Sequence, residues 1–215
     1  LITAGADSSR DSQGFLMNRQ RLTNSLNIPY LGFHDNAGGN TTNSAEVILK
    51  GNSFDYETSG FSVEFWMKSA MAGEPQFIIN HQDRDSNTGL GWHTRLGGSN
   101  VITFLVSDGT DYWETTASGN VADENWHHII CVYNPQTNSK IYINGSLNVT
   151  KSGTTSGGGG AIAAIQPVGD LIIGNRRGTN DQAYIGQLDD IKIYEKQLGV
   201  TEVLRNYKAG KRSHR

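Results

Sequence analysis

The stretch "NWHHIICVYNPQTNSKIYINGSLN", residues 125–148, decides the fold class of this chain. Its two runs, WHHIICVYN and KIYINGS, are rich in β-branched and aromatic side chains and are separated by turn residues, which is the pattern of paired strands. Asn144-Gly145 then supplies the two positive-φ residues that a tight two-residue hairpin requires. The lone cysteine, Cys131, lies inside the first run and reads as a core residue.

The same grammar extends in both directions. Upstream, "GFSVEFWMKS" (60–69) alternates Phe61, Val63, Phe65 and Met67 with Ser62, Glu64, Trp66 and Lys68. The runs AEVILK, QFIINH, GWHTRL, NVITFLVSDG, YWETT, DLIIGN, AYIGQL and DDIKIYE follow at close intervals. About a dozen short strands with no helical pattern between them predict antiparallel sheets packed as a sandwich or jelly roll. Two segments depart from this pattern. "SGTTSGGGG" (152–160) reads as a flexible surface loop. "GVTEVLRNYKAG" (199–210) places Val200, Val203, Leu204 and Tyr207 at helical spacing, with Glu202 in the first turn and Gly210 as a stop.

Bulk properties agree. A chain of 215 residues fits one large all-β domain more readily than two small ones and buries a core without staples. One cysteine excludes an intrachain disulfide. A net charge of −3 argues against a strongly basic nucleic-acid binder, and no run of about 18 apolar residues predicts membrane insertion. The opening "LITAGADSSRDSQ" lacks the positive start and apolar core of a secretory signal, so either a leader has been removed or export follows another route.

Three stretches, taken in order, resemble the laminin-G-like, concanavalin-A-like lectin/glucanase superfamily: "GFSVEFWMKS" (60–69), the opening stretch (125–148), and "DLIIGNRRGTNDQAYIGQLDDIKIYEKQLGVTEV" (170–203). The resemblance implies an all-β, two-sheet jelly roll with a short closing helix, serving as a non-catalytic binding, adhesion or structural module. It covers roughly residues 46–207, leaving residues 1–45 as an extended amino-terminal arm and 208–215 as a basic tail. It also implies a core role for Trp126. Where the family caps its last helix with Ser or Asp, this chain has Gly199, a tolerable substitute.

Some proteins of this fold hydrolyse polysaccharides, which needs two carboxylates about 5–9 Å apart. Here Asp189 and Asp190 are adjacent, so strand alternation sends them to opposite faces. Asp189 shares parity with Ile191 and Ile193 and is expected to point inward and tie down a turn. No catalytic residue is assigned. His127 and His128 also diverge and cannot share a metal. Asp83, Asp85 and Asn87 alternate as oxygen ligands do in calcium loops, yet the same residue types build ordinary β-turns. No cofactor is required by either reading.

Candidate ligand-binding residues combine aromatic faces with charged and amide groups: Trp92, His93 and Arg95; Tyr112 and Trp113 near Asp108 and Asp111; Arg176 and Arg177 near Asn180 and Asp181. The alternatives are that one of Tyr112 and Trp113 faces the core and that the arginines sit in a solvated turn. Trp66 falls on the polar face of its strand and needs cover, for which the arm is one source. Sequons at Asn40, Asn144 and Asn148 match by chance as readily as by function.

The arm holds apolar residues without periodicity, including Phe15, Leu16, Met17, Leu26, Tyr30 and Phe33, too many to leave in water. Such arms reach across to neighbours in shells and fibres, and "NYKAGKRSHR" resembles the end of laminin-G-like structural proteins of tailed phages. One functional expectation is therefore a virion-surface protein, a capsid decoration or tail-associated module. It would dock on capsid or other virion proteins through the arm, with self-association. The other is an extracellular adhesion module binding cell-surface glycans, with or without calcium. An arm that wraps its own sandwich and adds an edge strand is the third arrangement.

Overall fold

A computed structural model describes residues 31–33, 47–49, 60–69, 73, 75–83, 86–152, 162, 165, 169–176 and 182–214. Their strands are β1 (Leu31–Phe33), β2 (Val47–Leu49), β3 (Phe61–Lys68), β4 (Gln76–Gln82), β5 (Gly91–Leu96), β6 (Ile102–Ser107), β7 (Tyr112–Thr116), β8 (His127–Asn134), β9 (Asn138–Ile143), β10 (Ser146–Ser152), β11 (Leu171–Ile173) and β12 (Gly186–Tyr194), followed by the helix α1 (Val200–Gly210). They form two six-stranded sheets, ordered β1-β12-β3-β8-β9-β10 and β2-β11-β4-β5-β6-β7, with antiparallel neighbours throughout. This is the expected two-sheet jelly-roll sandwich.

The alternation read in the sequence sets the core. Phe61, Val63, Phe65 and Met67 are all fully buried between the sheets, together with Ile129, Cys131 and Tyr133 of β8. The second sheet answers with Trp92, Leu96, Ile102, Phe104, Val106 and Trp113. Phe61 sits at the centre, its ring 5.4 Å from Trp92, 6.0 Å from Phe104 and 5.7 Å from Tyr133. Burial at each such aromatic side chain contributes on the order of 2–3 kcal/mol. The hairpin at Asn144-Gly145 has φ of 52° and 81°, and Ile143 pairs directly with Ser146 across it.

The outer face of the first sheet is closed by the end of the chain. Ile130, Val132 and Tyr142 pack with Leu198 and Val203 in a second apolar cluster. The packed side of α1 is Val203, Asn206, Tyr207 and Gly210, whereas Val200 and Leu204 of the expected stripe are exposed. Ser62 fixes the entry to the helix: its hydroxyl donates to Lys196 O and accepts from Leu198 N–H, each at 2.9 Å. Gly199 caps with its backbone alone, its N–H donating to the Glu202 carboxylate at 3.1 Å.

Trp66 is covered from this end of the chain. The His214 imidazole stacks on the indole at 4.2 Å and 4°, Tyr207 lies 5.9 Å away and His128 4.9 Å away. Trp126 joins the same cluster, edge-on to His214 at 4.9 Å, so it packs outside the sandwich core. Asp189 also departs from its expected inward direction. It pairs with Trp66 across the sheet, and its carboxylate meets the Asp190 N–H at 2.7 Å and His214 Nε2 at 2.9 Å. The reason is a β-bulge between Asp189 and Lys192, with Asp190 at φ 52°, which resets the parity so that Leu188, Ile191 and Ile193 face inward.

Phe15, Leu16, Met17, Leu26 and Tyr30 lie outside the described residues. Leu31–Phe33 form an edge strand on β12, with Leu31 opposite Leu188 and Phe33 opposite Gly186, so this part of the arm pairs with its own sandwich.

Gly210 tests the clasp. A Cβ there would meet Trp66 Nε1 at 2.5 Å. Glycine to alanine in a helix ordinarily stabilises by up to about 1 kcal/mol; Gly210→Ala is expected to destabilise instead, by about 1–3 kcal/mol, in a denaturant titration. An unchanged or raised midpoint would show that the helix does not bear on Trp66.

Candidate functional site

Charge is handled differently on the two outer sheet faces. On the first, Glu64 is fully buried and accepts from Lys192 Nζ at 2.6 Å, Tyr194 Oη at 2.8 Å, Asn206 Nδ2 at 2.7 Å and His128 Nε2 at 3.3 Å. Burial pushes its pKa up, but the His128 hydrogen bond and the Lys192 charge more than offset this and bring it to about 2. Every oxygen is committed inside the fold, so Glu64 is a structural carboxylate.

The outward face of the second sheet is the candidate site. Register places Phe77 opposite Arg95, Asn80 opposite His93, Leu105 opposite Glu114 and Ser107 opposite Tyr112. His93, Arg95, Glu114 and Tyr112 share that face because each side-chain direction repeats every second residue. Arg95 pairs with Glu114 through Nη2, spanning from β5 to β7. The Phe77 ring lies 4.7 Å from that of His93 and carries the Arg176 guanidinium at 5.8 Å. Arg95 and Glu114 stay partly exposed, at 25% and 30%, while Asn80 and His93 beneath them are buried.

The hydrogen bonding of His93 fixes its tautomer. Gln82 Nε2 donates to Ser86 O at 3.1 Å and Gly89 O at 2.9 Å, which turns Gln82 Oε1 toward His93 Nδ1 at 2.7 Å. An amide oxygen only accepts, so Nδ1 carries the proton and Nε2 presents a lone pair. Burial, then the charges of Arg95 and Arg176, hold the imidazole neutral down to about pH 3. His93 Nε2, Asn80 Nδ2 and Arg95 Nε are buried without hydrogen-bond partners. Asn80 Oδ1 accepts from the Gln82 N–H at 3.0 Å, so its amide is also fixed in orientation.

The expected ligand residues therefore divide. Arg95, Tyr112 and Arg176 belong to this face or its border, whereas Trp92 and Trp113 are core residues at 0% and 1% exposure. Their strand parity puts the indoles between the sheets, as the alternative for the Tyr112-Trp113 pair allowed. Arg177, Asn180 and Asp181 lie outside the described residues. Asn80 and Gln82 were missed in the sequence because QFIINHQ reads as a plain apolar strand; only pairing to β5 shows that they share a face with His93.

The 83–89 turn is tied up internally. Asp83 Oδ1 accepts from the Leu90 N–H at 2.8 Å, and the Ser86 and Gly89 carbonyls accept from Gln82. Asn87 is exposed and Asp85 lies outside the described residues. Asp83 and Ser86 thus take part in holding the turn, and the calcium expectation, which includes Asp85, lies partly outside the described residues. The Asn144 and Asn148 amides are likewise engaged, with His128 N–H and with Ser118. Glu114 is the one acidic residue on the strands of the second sheet, so these strands do not supply a carboxylate pair.

His93 makes the stability of the fold depend on pH. In the unfolded chain His93 takes up a proton near its ordinary value of 6.5, while the folded value is about 3. The unfolded state binds more protons in between, so stability declines as pH falls from 6.5, by up to about 1.4 kcal/mol per unit. Glu64 adds a lower window, its stabilisation present above 4.5 and lost as pH falls toward 2. Thermal unfolding between pH 7 and 4 should steepen in the wild type and flatten in His93→Gln. Equal slopes would place the histidine elsewhere in the balance.

Comparison with known proteins places this geometry in context. The sequence has no match among curated proteins. Among solved structures the chain is similar to the binding domain of Paraclostridial Mosquitocidal Protein 1, at 18% identity and a TM-score of 0.62, covering 84% of this chain and 46% of that one. It is also similar to the botulinum neurotoxin serotype D binding domain (17% identity, TM-score 0.58, 77% of this chain and 40% of that one). A third similar structure is the Botulinum Neurotoxin Type G receptor binding domain (17%, 0.57, 82% and 41%). This chain spans less than half the length of each, and the likeness is one of fold. A family model matches residues 40–204, and on that evidence the chain belongs to the concanavalin A-like lectin/glucanases superfamily, in its laminin-G-type branch.

Proposed function

We propose that this chain is a non-catalytic, lectin-type carbohydrate-binding module that takes its ligand on the outward face of the second sheet. The observation behind this reading is the row of partly exposed polar groups on that face, Arg95 paired with Glu114 and Tyr112 on the same strand as Glu114. A sugar hydroxyl, which donates and accepts at once, suits a guanidinium and a carboxylate side by side. Half-buried Tyr112, on the same face, offers a ring to the apolar side of a pyranose. The lone strand carboxylate Glu114, already paired with Arg95, supports binding rather than hydrolysis. The solved structures of similar fold being binding and receptor-binding domains agrees with this reading, which implies an extracellular or surface-displayed setting.

A glycan array probed with the full chain, in calcium and in chelator, is the direct test. Binding to a defined set of glycans is expected, with Arg95→Ala weakening it by about tenfold or more. Dependence on calcium would bring the Asp83–Asn87 turn into the site. No binding in either condition would overturn the reading.

The finer assignment to a tailed-phage virion surface draws on the apolar content of residues 15–33 and on the likeness of the carboxy-terminal sequence. Limited trypsin digestion addresses it through Arg10, Arg19 and Arg21. Rapid cleavage there with survival of the remainder is the result expected of an arm that awaits a capsid partner. Protection would assign the arm to its own sandwich, as the pairing of Leu31–Phe33 with β12 already does locally.

A further inference from the structure

Asn-Gly occurs once in the chain, at the turn between β9 and β10. It is the dipeptide best suited to self-modification, because glycine has no Cβ to shield its backbone nitrogen from the preceding side-chain amide. The fold opposes that encounter from two sides. On the first, Asn144 is held on β8 by three hydrogen bonds. Its N–H donates to His128 O at 2.8 Å, its Oδ1 accepts from the His128 N–H at 3.0 Å, and its Nδ2 donates to His127 Nδ1 at 3.2 Å. Asp123 Oδ1 accepts from His127 Nε2 at 2.8 Å, which puts the ring proton on Nε2 and leaves Nδ1 as the acceptor that Asn144 Nδ2 needs. On the second side, Gly145 is buried although it sits in a turn. A Cβ added there would meet Tyr207 Cδ1 at 2.7 Å, so α1 lays an aromatic ring directly over this stretch of backbone.

We infer that Asn144-Gly145 is a latent imide-forming site, held shut by β8 and α1 and released when the helix lifts from the hairpin. The Gly145 nitrogen bonds to Asn144 Cγ, the Cγ–Nδ2 bond breaks, and the Gly145 amide proton leaves with Nδ2 as ammonia. Water then opens the imide at either carbonyl, giving aspartate or isoaspartate at position 144. Because Nδ2 departs, its hydrogen bond to His127 is lost in every course of the reaction, and drawing Cγ onto the Gly145 nitrogen takes Oδ1 away from His128. The isoaspartate product adds a methylene to the main chain within a two-residue turn that sets the pairing of β9 with β10. Conversion therefore marks, irreversibly, chains in which α1 has left its seat.

The test is incubation of the full chain in mildly alkaline buffer, with isoaspartate and the accompanying mass gain at residue 144 followed by peptide mapping. Conversion in the folded chain is expected to be about 10–100-fold slower than in denaturant, from the two side-chain hydrogen bonds that the reaction gives up. Equal rates in the two conditions would overturn the inference.

Substitutions separate the two locks. Tyr207→Phe keeps the ring over Gly145 and is expected to keep the protection, whereas Tyr207→Leu removes the ring and is expected to speed conversion about tenfold. His127→Ala takes away only the acceptor for Nδ2, and a gain of about three- to tenfold is expected. Circular dichroism identifies the variants that remain folded. Conversion as slow as the wild type in folded Tyr207→Leu and His127→Ala chains would overturn the assignment of the protection to α1 and β8.

Discussion

The buried carboxylate of Glu64 is the constraint around which the first sheet is organised. A charge taken wholly out of water is tolerated only when its lone pairs are filled. Here the donors come from three different elements: His128 from β8, Lys192 and Tyr194 from β12, and Asn206 from α1. The helix must therefore dock in one position for the carboxylate to be satisfied. Docking in turn closes the apolar cluster of Ile130, Val132 and Val203 and carries Tyr207 and the 211–214 segment onto Trp66. A fixed polar network thus gives a single register to packing that apolar contacts alone would leave degenerate.

Closing that face has a functional consequence. The first sheet is buried on both sides around Glu64 and Trp66, so its polar groups are spent on the fold. The second sheet keeps Arg95, Glu114 and Tyr112 partly exposed above a floor of fixed polar atoms. The two sheets share an architecture but divide the work, one anchoring the chain end and the other presenting hydrogen-bonding groups. The neutral state of His93 belongs to this division, because its imidazole is buried and holds Gln82 Oε1 through Nδ1.

Several elements were legible before any coordinates. The alternation in FSVEFWMK, the Asn-Gly hairpin and the closing helix each follow from local chemistry with a short period, and each stands where expected. Reading failed where a local rule met a non-local event. Asp189 was assigned by parity, and a bulge at Asp190 reversed it. Trp66 was rightly seen to need cover, but its cover comes from His214, nearly 150 residues away along the chain. Trp92 and Trp113 looked like ligand platforms because an indole beside arginine or tyrosine suits both a binding face and a core; only strand pairing separates the two.

The sequence by itself determined what depends on near neighbours: strand periodicity, turn chemistry, the helix and, through three ordered stretches, the superfamily. Tertiary structure decided which polar residues meet. Asn80 meets His93, Arg95 meets Glu114, and Glu64 becomes a shared anchor only when strands distant in sequence are laid in register. The physical reason is that a two-residue period says which residues share a strand face, but not which strand lies alongside. Complementary hydrogen bonds between strands, and the places where they are left unfilled, exist only after that choice is made.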